Sequence, residues 1–145
     1  MPDTFNLARF AEAQTPIYPA IVAELRAGQK RTHWMWFVFP QIAGLGQSPT
    51  SRHYAIENLA EAQAYLNDET LGPRLTECTN LVLTHPNKTA TQIFGPIDDA
   101  KFRSSMTLFA CAAPTNPLFR AALKTFFNAE PDELTLQKLN PSLQP

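Results

Sequence analysis

Apolar residues recur along this chain at intervals of three and four, in short runs, and most runs begin or end at a residue that starts or stops a helix. Thr15 and Pro16 open one run, Ile17, Ile21 and Leu25 form its apolar face, and Gly28 closes it. A shorter helix precedes it, with Asp3 as cap and Phe5, Ala8 and Ala11 turned inward. Ile56, Leu59, Gln63 and Leu66 continue the spacing, with one polar member. Leu71, Leu75, Cys78 and Val82 step by four, three and four. Pro73 falls in the first turn of that helix, where a missing N–H costs little, and His85-Pro86-Asn87 ends it. Thr89 and Gln92 have the form of a capping box ahead of Phe94-Gly95-Pro96. A longer helix is expected from Asp98 to about Ala112, striped by Phe102, Met106 and Phe109. Asn116-Pro117 repeats the cap-and-proline signal before Phe119, Leu123 and Phe126. The last helix starts at Asp132, with Leu134, Leu136 and Leu139 apolar. Its Glu133 and Lys138 lie at the ends that suit the helix dipole.

Hairpin dipeptides and alternating apolar runs are both missing. The pattern therefore predicts an all-α fold: a single compact domain over residues 1–145, of about six to eight short helices punctuated by prolines. Residues 34–39 are six consecutive apolar positions, which also suit a buried strand. A helical turn ended by Pro40 fits the rest of the chain better.

Composition narrows the class. The 145 residues are 44% hydrophobic and 17% charged, with a formal net charge of −1, so nucleic acid is a disfavoured partner. Thirteen prolines are spread along the chain, which fits short elements rather than a linker. Cys78 and Cys111 have no partner at zinc-like spacing and read as two core thiols, so no metal or cofactor is expected. The N-terminus lacks a secretory pattern and no run is long enough to span a membrane, so a cytoplasmic location with no membrane partner is expected.

Two segments could carry chemistry. Asp98, Lys101 and Ser105 share one face of the predicted 98–112 helix, with Ser104 flanking it, and there an ammonium and hydroxyls would suit an anion. An Asp98–Lys101 ion pair with serines bonded to the preceding turn is the plainer account. Residues 32–46, THWMWFVFPQIAGLG, hold both tryptophans of the chain. Aromatic rings can stack on a ligand, and Gly44 and Gly46 let backbone amides approach one. As the plainer account, the indoles anchor the core and the glycines permit a turn.

Residues 30–46, KRTHWMWFVFPQIAGLG, are followed by Ser51-Arg-His-Tyr-Ala-Ile, Glu61-Ala-x-Ala-Tyr-Leu and Leu71-Gly-x-Arg-Leu. With Ile93-Phe-Gly-x-Ile-Asp98 and Lys101-Phe-x-Ser-Ser-Met-Thr-Leu-Phe109, these motifs resemble a bacterial family of unknown function, number 1810 in the domain-of-unknown-function series. Members are sometimes labelled calpastatin, yet nothing here resembles a calpain-inhibiting repeat. The resemblance implies an all-helical single domain and no established activity. A weaker likeness is to the NADAR superfamily, which processes ADP-ribose derivatives. Thr50-Ser-Arg-His-Tyr54 is similar to its Thr-x-Glu-His-Tyr motif, with Arg52 in place of the acidic residue.

These readings combine into one expectation: an anionic, nucleotide-like small molecule, such as an ADP-ribose derivative, binds between residues 34–46 and the 98–107 helix. Trp34, Trp36 and Phe39 would stack, and Gln41 and Ser51 would hydrogen-bond. Arg52, Lys101 and Ser105 would hold phosphate, while His33, Gly44, Tyr54 and Ser104 complete the lining. If a reaction occurs, it is N-glycosidic or phosphoester hydrolysis, with Asp98 or Asp99 as acid or base. The competing expectation is a non-catalytic protein-interaction domain, its partner undefined, whose aromatic segment is purely structural.

Overall fold

The computed structural model describes residues 3–139. Its helices are α1 (Ala8–Gln14), α2 (Tyr18–Ala27), α3 (Met35–Val38), α4 (Pro49–His53), α5 (Leu59–Asn67), α6 (Leu71–Leu83), α7 (Ala90–Phe94), α8 (Asp98–Ala112), α9 (Pro117–Phe127) and α10 (Glu133–Leu139). A 3-10 turn, Thr15–Ile17, joins α1 to α2. The fold is all-α. Among the described residues no strand forms, and a parallel bridge pairs Ile42 with Ile56.

Local chemistry sets most boundaries. The Asp3 carboxylate accepts from the N–H groups of Leu7 and Ala8 at 2.6 and 2.8 Å, and the capping box of Thr89 and Gln92 forms in both directions. Asn116 caps α9, and Gly28 ends α2 in the left-handed region at φ 73°. Residues 34–39 are the helical turn, ended ahead of Pro40.

Several details differ from the pattern. Thr15 ends α1 and does not cap α2: α1 passes through the 3-10 turn into α2, and Ile17 is left at the surface while Ile21 and Leu25 are buried. In α1 the buried ring is Phe10, whereas Ala8 is exposed. The α4 helix lacks an apolar stripe and went unread; Ser48 caps it by accepting from the Ser51 N–H at 3.1 Å. Asn58 caps α5 in the same way, so Ile56 lies outside the helix and Ala62 and Tyr65, not Gln63, face inward. In α10 the Asp132 carboxylate accepts from both the N–H and the hydroxyl of Thr135, at 3.0 and 2.6 Å. That phase buries Thr135 and exposes Leu134.

The core surrounds α8, whose residues 104–110 are all buried, as befits a helix covered on every side. Helices α5, α7, α9 and α10 pack on it. A chain of aromatic contacts crosses the molecule: Phe10 to Tyr65 at 5.1 Å between ring centroids, Tyr65 to Phe109 at 5.4 Å, and Phe109 to Phe119 at 5.7 Å. Edge-to-face and tilted geometries such as these add to the burial of the rings.

Candidate cleft beside helix α4

The segments expected to meet do so at one point. The Lys101 ammonium lies 5.2 Å from the ring centroid of the half-buried Trp36. Asp98 sits between two cations, 2.9 Å from the Lys30 ammonium and 3.7 Å from that of Lys101. Lys30 in turn lies over the Trp34 ring. Trp34 is fully buried and donates its indole N–H to Glu24 at 3.0 Å. Glu24 also accepts from the N–H groups of Arg31 and Thr32 and from the Thr32 hydroxyl. Burial raises the pKa of that carboxyl, but the hydrogen bonds from Thr32, Arg31 and Trp34 together outweigh it and hold it below the ordinary range.

No hollow separates these segments. Phe39 is fully buried, 5.0 Å from Phe102 and 5.9 Å from Phe94 between ring centroids, so hydrocarbon fills the space. Trp34 and Phe39 are core residues with no face for a ligand. Ser104 bonds back to the Ala100 carbonyl at 3.1 Å, and Ser105 is sealed inside, its hydroxyl without a partner among the described residues. Neither serine can hold a phosphate where it lies. Asp98 is shared by the two lysines. Asp99 accepts from the Thr91 hydroxyl at 2.6 Å and from the Ala100 N–H at 2.7 Å. Both aspartates are thus engaged in holding the start of α8. His33 is exposed. Gly44 takes φ +98°, and a side chain there would meet that of Lys138, so the turn explains the glycine.

Helix α4 divides the remaining candidates. Ser51 and Tyr54 join Trp36 and Gln41 around a notch of only about 10 Å³, room for no more than a water. Gly46 closes it: a Cβ there would lie 2.4 Å from that of Ser51. Arg52 and His53 line a separate cleft of about 450 Å³, together with Phe5, Asn6, Glu57 and an ion pair. This volume lies in the range of small-ligand sites.

Arg9 and Glu61 form that ion pair at 2.7 Å, with both side chains largely buried. Arg9 donates to the carbonyls of Phe5, Asn6, His53 and Ala55 as well, so its guanidinium is fully occupied. Glu61 also accepts from the Glu57 N–H at 2.8 Å. The rim is less committed. Arg52 bonds Gln47 at 3.4 Å, His53 packs edge-on against Tyr54, and the Glu57 side chain has no ion pair among the described residues. Sequence reasoning missed Arg9, Glu57 and Glu61 as site residues. It singled out the stretch holding His53 without assigning that side chain a part.

Other concavities suit an anion less well. A shallow groove of about 610 Å³ beside α5 and α6 offers amides and Glu77 but no cation. A hollow of about 350 Å³ is lined by Leu123, Leu136 and Cys111, with Arg120 among its walls. Burial pushes the Cys78 thiol up to about 12 and raises Cys111 as well, so neither is an activated nucleophile. Cys111 is half-buried, not a full core residue. Among the described residues no group of histidine, cysteine and carboxylate side chains could hold a metal ion, and no helix is long and apolar enough to cross a membrane.

The family described as "Protein of unknown function (DUF1810)" matches residues 4–139. Among solved structures, the conserved hypothetical protein Rv1873 from Mycobacterium tuberculosis is similar, with 52% identity and a TM-score of 0.93. The match covers 94% of this chain and 98% of that one. No curated protein matches.

Proposed function

The chain belongs to the DUF1810 family, and from that premise we propose that it is a small-ligand-binding domain. Its site is the cleft between the N-terminal loop, α4 and the start of α5, and its ligand carries an anionic group. One observation carries the reading: a ligand-sized cleft has Arg52 and His53 on its wall, above an Arg9–Glu61 floor that is already saturated. A guanidinium free to reorient can take a carboxylate or phosphate through two parallel hydrogen bonds. The likeness of residues 50–54 to the NADAR motif makes an ADP-ribose derivative the first compound to try, because Arg52 and His53 both come from that stretch.

Binding without turnover is the better-supported form. Asp98 and Asp99 are held at the start of α8, and Glu61 is tied to Arg9. Ile97, 71% exposed beside Asp98, is a single apolar side chain and not a patch, so the protein-interaction reading gains no support from it.

Thermal melting against ADP-ribose, AMP, phosphate and small carboxylates tests the proposal. A compound at ~100 times its Kd should stabilise the chain by about 2.7 kcal/mol. Arg52→Gln should melt like the parent and lose the response, while Ile97→Asp keeps it. The proposal is lost if no compound raises the melting temperature, or if Arg52→Gln responds in full.

A further inference from the structure

Resting on the cleft as a ligand site, we infer that its ligand is a zwitterion, a free amino acid or short peptide. Arg52 takes its carboxylate and Glu57 takes its ammonium. The argument is one of charge balance. Arg9 and Glu61 neutralise each other on the floor at 2.7 Å. What remains on the rim besides His53 is the Arg52 guanidinium and the Glu57 carboxylate, and no ion pair joins them.

Arg52 stands in the last turn of α4, and Glu57 immediately precedes the Asn58 cap of α5, so the two flank the corner between these helices. Opposite charges that line one cleft without pairing complement a molecule whose own charges are opposite and apart. A polyphosphate would bring several negative charges toward Glu57 and Glu61, with only His53 and the Arg52 guanidinium, bonded to Gln47 at 3.4 Å, to offset them. An ammonium presents three donors, which suits a carboxylate, and a carboxylate suits the fork of Arg52. Phe5, Ala43 and Ala55 give the cleft an apolar wall for the ligand's side chain or peptide backbone.

The test is an amide-resonance NMR titration of the full chain with L-phenylalanine and glycylglycine, each to about 10 mM, a range that detects millimolar affinity. Acetate, ethylammonium and ADP-ribose are run alongside. The zwitterions should shift resonances of Asn6, Ala43 and residues 52–57, at least about tenfold more tightly than acetate or ethylammonium. Glu57→Gln should weaken the zwitterions by about tenfold and leave acetate unchanged, and Arg52→Gln should weaken both. If acetate or ADP-ribose binds as tightly as the zwitterions, and Glu57→Gln changes nothing, the zwitterion inference fails and the anion site survives. If no compound shifts these resonances while the spectrum remains that of the folded chain, both fail.

Discussion

At the scale of single residues, Glu24 fixes the turn that delivers the tryptophans. Its carboxylate gathers two backbone N–H groups, a hydroxyl and the Trp34 indole. These bonds lower its pKa in the folded chain relative to the ordinary 4.5. A group depressed in this way stabilises the fold fully above its unfolded pKa, and the contribution disappears as pH falls through the folded value. Glu24→Gln should therefore be less stable than the parent at pH 7, with the gap closing in acid below the ordinary carboxylate value. Urea unfolding at a series of pH values reads this directly, and a gap that stays constant into acid would contradict it. The two tryptophans should also differ. Trp34→Ala empties a core position and should cost ~3–5 kcal/mol. Trp36→Ala removes a partly solvated ring and should cost about 1–2 kcal/mol. Equilibrium denaturation of the two variants gives the order. The sequence showed that the indoles were concentrated but not which one was core, because Trp34 at the cap and Trp36 inside the single turn of α3 point to different surroundings.

At the scale of elements, the corner between α5 and α6 depends on Gly72. A Cβ there would stand 2.1 Å from the Leu66 carbonyl oxygen, a backbone atom that cannot swing aside. Gly72→Ala should force the two helices apart and cost about 1–3 kcal/mol, in the manner of an overpacked core. A melting temperature equal to the parent's would show that the corner adjusts freely. The elements most legible in the sequence were those with a chemical signature at their start. Thr89 with Gln92, and Asn116 with Pro117, are such cases. Asp98–Ala112 was legible by its length and stripe. Helix α4 escaped because five residues with no apolar periodicity leave nothing to count. Helix α10 was legible from its start at Asp132, whereas the exposure of Leu134 follows from a phase in which Asp132 bonds Thr135.

At the scale of the molecule, one core links the first helix to the last. Phe10 of α1 reaches Phe119 of α9 through Tyr65 and Phe109, and α10 packs on α8. A chain built in this way should unfold as one unit. Far-ultraviolet circular dichroism and the emission of Trp34, followed in a Trp36→Phe background, should give superimposable urea curves. An early loss of one signal would mean that part of the chain comes away on its own.

By itself, the sequence determined an all-helical chain, most of its helix starts and much of the apolar face of its long helices. Caps, prolines and three-and-four spacing act within a few residues, so their effect can be read where they stand. Only the tertiary structure decided which polar side chains share a space. Arg9 is 44 residues from His53 and 52 from Glu61, yet it binds both and shapes the cleft between them. No local pattern records such a contact. The same packing that made this cleft filled the expected site with the rings of Phe39, Phe94 and Phe102, because apolar surfaces brought together exclude water whatever polar groups lie beside them.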